Sequence, residues 1–209
     1  MSEFVKQRKR EFFYKKAKAE KYRARSAYKL LDLQKKFQLI KEGDVVVDLG
    51  AAPGSWSQVA LEYVGDEGKV IGVDVKTVIS LEGNYESVVG DIFKESTLEK
   101  LKQRLLRKVD VVISDVAPEF SGVRTRDIGM AMLLSSRALQ IAVEILKHSG
   151  IFVAKAFRGP DYEKFVSAVK SKFKIVKIVK PAASMKESAE IYIVAKYFRK
   201  EKQPSAKIE

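Results

Sequence analysis

The chain has 209 residues, 46% of them apolar, and carries 40 Lys and Arg against 27 Asp and Glu for a net charge of +13. That length suits one domain around a single core, and the apolar share excludes a disordered chain. With no cysteine, and with His148 as the only histidine, thiolate chemistry, disulfides, zinc sites and histidine triads are excluded, so no metal is expected and chemistry falls to Lys, Asp, Glu, Ser, Tyr or a bound cofactor.

Residues 1–25 make a basic arm, with Lys6, Arg8, Lys9, Arg10, Lys15, Lys16, Lys18, Lys21, Arg23 and Arg25 interleaved with Phe12, Phe13, Tyr14 and Tyr22. The positive excess suggests a polyanionic partner, nucleic acid ahead of an anionic membrane surface. A solvated charge run is the plainer reading, and the aromatics can either stack on bases or pack as core. No uninterrupted apolar run of about eighteen residues predicts a membrane span. The first ten residues are too charged for a secretory segment, so the expected location is cytoplasmic.

Ser26 is placed as the N-cap of a helix through about Phe37, stopped by Gly43. Strands are then predicted over Val45–Leu49, Val70–Val75, Ser87–Gly90, Val109–Ser114, Ile151–Ala156, Lys174–Val179 and Ile191–Tyr197. Helices fall between them at Trp56–Tyr63, Thr97–Leu106, Ile128–Leu146 and Tyr162–Ser171, with His148 facing solvent at a helix end. Unbroken runs such as Val45–Val47 and Val109–Ile113 suit strands buried on both faces. The β-α-β rhythm predicts a doubly wound α/β sandwich with ligands at the carboxyl ends of the strands. Residues 200–209 read as a polar, frayed tail.

The first strand leads into Asp48-Leu49-Gly50-Ala51-Ala52-Pro53-Gly54-Ser55-Trp56. Small residues there let the backbone approach a ligand, and the helix start offers free N–H groups. The loop is neither G-x-G-x-x-G nor a P-loop with its lysine, which disfavours dinucleotides and nucleoside triphosphates. Asp74 ends the second strand about twenty residues on, where a carboxylate can accept both ribose hydroxyls of an adenosyl group. Asp91 ends the third strand within reach of an adenine amino group. The bland alternative is that both acids merely cap their loops.

These residues resemble the FtsJ family of RNA ribose 2′-O-methyltransferases, whose cofactor loop reads D-L-G-A-A-P-G-G-W. The likeness extends over Arg25-Ser26-Ala27-Tyr28-Lys29-Leu30, Ser114-Asp115-Val116-Ala117-Pro118 with Ser121-Gly122, Phe152-Val153-Ala154-Lys155-Ala156-Phe157, and Lys180-Pro181 through Ser188-Ala189-Glu190-Ile191-Tyr192. It implies a class I methyltransferase fold over residues 26–199, a seven-stranded, mostly parallel sheet with an antiparallel last strand and helices on both faces. It further implies S-adenosyl-L-methionine as cofactor, held by Gly54, Trp56, Asp74, Asp91 and Asp115, and a Lys-Asp-Lys-Glu tetrad at Lys29, Asp115, Lys155 and Glu190. Two departures stand out. Ser55 replaces the second glycine, and Met185, Glu187 and Ala189 sit where bacterial relatives carry arginines, with Lys186 a partial substitute.

A ribose hydroxyl is a poor nucleophile and benefits from a base and an in-line geometry. With cysteine absent, lysine is the expected base, provided burial or a neighbouring cation lowers its ordinary value near 10.4. Lys155 lies in an apolar strand and takes that role, with Lys29, Asp115 and Glu190 positioning; the plainer alternative is a structural ion pair and a turn cap. The expected partner is large-subunit ribosomal RNA at a uridine, or the assembled subunit, bound by a monomer. The arm, Arg124, Arg126 and Arg158 would meet its phosphates. The tRNA anticodon loop, a non-catalytic assembly factor and a small-molecule methyltransferase are the alternatives.

Overall fold

The computed structural model describes residues 3–119, 121–184 and 188–199, and side chains from residue 11 onward. Met185, Lys186, Glu187 and the tail 200–209 lie outside the described residues, as do the side chains of Lys6, Arg8, Lys9 and Arg10. In chain order the elements are α1 (Glu3–Ala19), α2 (Ala27–Phe37), β1 (Val45–Leu49), α3 (Ser55–Val64), β2 (Lys69–Asp74), β3 (Tyr85–Val89), α4 (Glu95–Arg104), β4 (Val109–Ser114), α5 (Arg124–Ile145), β5 (Leu146–Phe157), α6 (Tyr162–Lys172), β6 (Phe173–Val179) and β7 (Glu190–Phe198).

The strands form one sheet in the order β3-β2-β1-β4-β5-β7-β6. All neighbours through β5 run parallel, while β7 runs antiparallel to both β5 and β6. The Val/Ile runs occupy the middle: β4 is buried throughout, and β1 is buried from Val46 to Leu49. The β6 edge keeps Lys174 and Lys177 exposed, a common guard against edge pairing.

Period-two alternation divides the core. Val47, Leu49, Val112, Ala154 and Ile193 face the α4, α5 and α6 side. Val46, Ile113, Val153, Tyr192 and Val194 face α2 and α3. The helix α5 has the length and composition of a membrane span, yet here Ala131, Ala138, Ile141 and Ala142 bury one face of it in the first of these cores.

Several sequence expectations shift. The basic arm contains a helix, α1. The turn at Ser26 has helical backbone angles and makes no side-chain cap, its Oγ pairing instead with Ser55 Oγ at 2.7 Å. The following helix ends at Phe37, as expected, but its cap is Gln38, whose left-handed backbone points its N–H at Gln34 O, and not Gly43. The buried Gln34 amide then accepts from the N–H groups of Leu39 and Ile40. Leu146 and His148 belong to β5, with His148 exposed, because α5 passes into the strand without a loop. Arg124 and Arg126 open α5 rather than lying in a loop.

Candidate active site

Parallel pairing brings the carboxyl ends of β1, β2, β3 and β4 to one edge of the sheet, and antiparallel β7 starts at that same edge. Glu190 therefore lies opposite Phe157 at the end of β5, and Tyr192 opposite Lys155. A cleft of 610 Å³ opens there. Its walls include Gly50, Asp74, Asp91, Asp115 and Arg126, with Ile92, Phe93, Met130 and Leu134 supplying apolar surface. At Gly50, φ is +80°, and an added Cβ would come within 2.7 Å of Val116 Cα, so only glycine lets the first loop lie against the fourth.

Asp74 accepts from the N–H of Ala52 (3.0 Å) and of Lys76 (2.8 Å), one bond to each carboxylate oxygen. Asp91 Oδ1 accepts from the N–H of Phe93 at 2.9 Å. Both acids thus cap their loops, as the plainer reading expects, and each oxygen can still accept from a hydroxyl or amino group. That donor and acceptor set, beside an apolar wall, fits an adenosyl group.

Gly54 and Trp56 do not line the cleft. Trp56 is 2% exposed; its indole N–H donates to Ser26 O at 2.9 Å and its ring packs 5.7 Å from that of Tyr192. What Gly54 and Trp56 can offer a ligand is backbone at the start of α3, where the first N–H groups lack helical acceptors.

The tetrad converges. Lys155, 6% exposed, sits on the α2 face of β5, and its Nζ donates to Asp115 O at 2.6 Å while pairing with Asp115 Oδ1 at 3.1 Å. Lys29, on α2, pairs with Glu190 Oε1 at 2.9 Å. Tyr192 joins the two pairs: its hydroxyl donates to Asp115 Oδ1 at 2.6 Å and accepts from Lys29 Nζ at 3.1 Å. Ser184 completes the chain by donating to Glu190 Oε1 at 2.8 Å. A second cleft, of 290 Å³, lies on the other side, lined by Arg25, Ser26, Lys29, Ser184 and Glu190 among others. The network therefore spans two openings, with Asp115 facing the first and Lys29 and Glu190 the second.

Residues 22–198 match the FtsJ-like methyltransferase family. The chain belongs to that family. It is 48% identical to ribosomal RNA large subunit methyltransferase E of Methanocaldococcus jannaschii, over 93% of this chain and 81% of that one. Identity to the protein of the same name from Methanobrevibacter smithii is 44%, over 96% of each chain. Among solved structures, a Plasmodium falciparum protein described as a ribosomal RNA methyltransferase superposes with a TM-score of 0.75 at 30% identity, covering 85% of this chain and 98% of that one. Aeropyrum pernix fibrillarin shares the fold alone, with a TM-score of 0.53 at 18% identity, covering 83% of this chain and 75% of that one.

In this FtsJ-like methyltransferase the electrostatics sort the groups. Burial works to raise the Asp115 carboxyl, but Lys155, Lys29 and the Tyr192 hydroxyl outweigh it and hold Asp115 below the usual carboxylate range. Burial, together with Asp115 and Glu190, pushes the Tyr192 phenol well above its ordinary value. Tyr192 therefore stays a neutral donor and is no base. It was missed from sequence, although its position two residues after Glu190 puts it on the same face of the same strand. Asp48 is a further buried acid near these groups. It is fully buried beneath the cofactor loop, where Ser57 Oγ donates to its Oδ2 at 2.7 Å and its Oδ1 has no partner among the described residues.

Proposed function

We propose that the protein transfers the methyl group of S-adenosyl-L-methionine to a ribose 2′-hydroxyl of large-subunit ribosomal RNA, at a uridine, acting as a cytoplasmic monomer. One observation carries this reading: a single hydrogen-bonded network of two lysines and two acids separates a cleft suited to an adenosyl group from a second, polar cleft beside the basic segment.

The methyl donor supplies an electrophilic sulfonium methyl. Asp74 would accept from its ribose hydroxyls, Asp91 from its adenine amino group, and the first N–H groups of α3 would lie near its carboxylate. Asp115 faces that site and anchors Lys155. Lys155 would take up the hydroxyl proton as general base. Lys29 and Glu190 wall the second cleft and would hold the target nucleotide in line. The arm of residues 1–25, with Arg124, Arg126 and Arg158, would meet phosphates around it.

The test supplies labelled cofactor to ribosomal subunits, naked ribosomal RNA and tRNA from cells lacking this protein, and maps the modified nucleotide. Label in the large subunit or its RNA is expected; label in tRNA alone would favour the anticodon-loop reading, and no label at all a non-catalytic assembly factor. In the same assay Lys155→Met is expected to lower kcat by about 10²–10⁴-fold, the usual range for a general base, with cofactor binding kept. Turnover like wild type would remove Lys155 as base.

A further inference from the structure

Arg23 belongs by sequence to the basic segment, where a phosphate would be its obvious partner. Three of the five N–H donors of its half-buried guanidinium go instead to backbone carbonyls of the protein. Nη1 donates to Pro53 O at 3.0 Å and to Ile79 O at 2.6 Å, and Nη2 donates to Ser80 O at 2.8 Å. The Arg23 N–H donates to Gln58 Oε1 at 2.8 Å, and Gln58 Nε2 donates back to Lys21 O at 3.0 Å. The side chain lies directly over Gly54. A Cβ there would meet Nη1 at 2.9 Å, Cδ at 3.3 Å and Val78 Cγ1 at 3.2 Å.

One fork therefore ties together the end of the arm, the cofactor loop and the stretch between β2 and β3, which has no helix or strand of its own from 75 to 84. That stretch begins with Val75 and Lys76, which line the 610 Å³ cleft. The planar, fixed geometry of a guanidinium can bridge carbonyls on separate segments; a lysine ammonium, although equally charged, is a compact point donor and cannot span them in the same way.

We propose that Arg23 is a positioning residue for the methyl donor and not an RNA contact: its fork holds the cofactor loop and the 75–84 stretch at the spacing the donor cleft requires. The proposal rests on the reading of that cleft as the adenosyl site. It also gives Gly54 a local reason, since a side chain there would displace the guanidinium.

The test titrates S-adenosylhomocysteine into wild type, Arg23→Lys and Arg23→Met by calorimetry, and measures RNA binding separately without cofactor at fixed salt. Both variants are expected to weaken S-adenosylhomocysteine binding by about tenfold or more, as loss of charge-assisted hydrogen bonds implies, while RNA affinity holds. A phosphate contact gives the reverse pattern: RNA affinity falls in Arg23→Met, survives in Arg23→Lys, and S-adenosylhomocysteine affinity stays put. That pattern would overturn the proposal. Should Arg23→Met fail to fold, Arg23→Lys keeps the charge without the fork, and unchanged S-adenosylhomocysteine affinity there counts against the proposal equally. Wild type that fails to bind S-adenosylhomocysteine would sink the reading of the cleft itself, a result distinct from wild type binding and variants matching it.

Discussion

Tyr192 carries no charge, yet it is where the two ion pairs of the site meet. Its hydroxyl lets Lys29 sense Asp115, and so Lys155, without a direct contact. Removing that hydroxyl in Tyr192→Phe costs about 1 kcal/mol per hydrogen bond lost and leaves Asp115 still paired with Lys155. The expected result is a fall in kcat of about tenfold with S-adenosylhomocysteine affinity kept, read by single-turnover transfer beside calorimetry. An unchanged kcat would make the bridge structural only.

Asp48 offers a different prediction at the same scale. Burial, helped by the Asp115 and Asp74 carboxylates and opposed by the Ser57 hydrogen bond, raises it from the usual 3.8 to about 7. The folded chain then holds more protons than the unfolded one between about pH 4 and pH 7, so this group's contribution to stability is lost as pH rises through that window. Asp48→Asn removes the titration. Its stability relative to wild type should grow from pH 4 to pH 7 and level off above, by no more than about 4 kcal/mol. Urea unfolding across that range reads it, and a flat difference would mean that Asp48 is ionised throughout.

Among the elements, α1 packs one side against the fold and leaves the other exposed. Ala17 is buried, Phe13 packs 5.4 Å from the Tyr28 ring, and Lys16 sits 4.7 Å over the same ring. Away from that seam Phe12 and Tyr14 stay 60% and 63% exposed, beside exposed Lys15 and Lys18. Phe13 therefore follows the packing reading, while Phe12 and Tyr14 stay at the surface. The double variant Lys15→Ala, Lys18→Ala should weaken RNA binding and flatten its salt dependence by about 0.7–0.9 log units per lost phosphate contact. S-adenosylhomocysteine affinity should not move; an unchanged salt slope would take α1 out of the RNA interface.

Element boundaries were legible where hydrophobic patterning was strong. Both β1 and β4 fall where their Val/Ile runs predict them. Caps were less legible. A serine before a helix usually accepts from the first N–H groups, but Ser26 follows a turn that is already helical, so its hydroxyl went to Ser55. The helix end at Phe37 falls where the sequence reading put it, and Gln34 holds the exit by reaching forward to the backbone of Leu39 and Ile40.

Across the whole molecule, Lys29, Asp115, Lys155 and Glu190 come from widely separated segments and meet only because the sheet order sets β5 between β4 and β7. The sequence by itself determined the fold class, and its resemblance to a known family pointed to the four groups that the structure brings together. Patterning, glycine placement and ordered motifs are local signals that survive without coordinates. Only the tertiary structure decided that Tyr192 joins the ion pairs, that Trp56 is buried away from the cleft, and that Arg23 bonds backbone carbonyls of two other segments. Those outcomes depend on which donor reaches which acceptor once the chain is packed. Composition counts charges, but it does not say where each of them is spent.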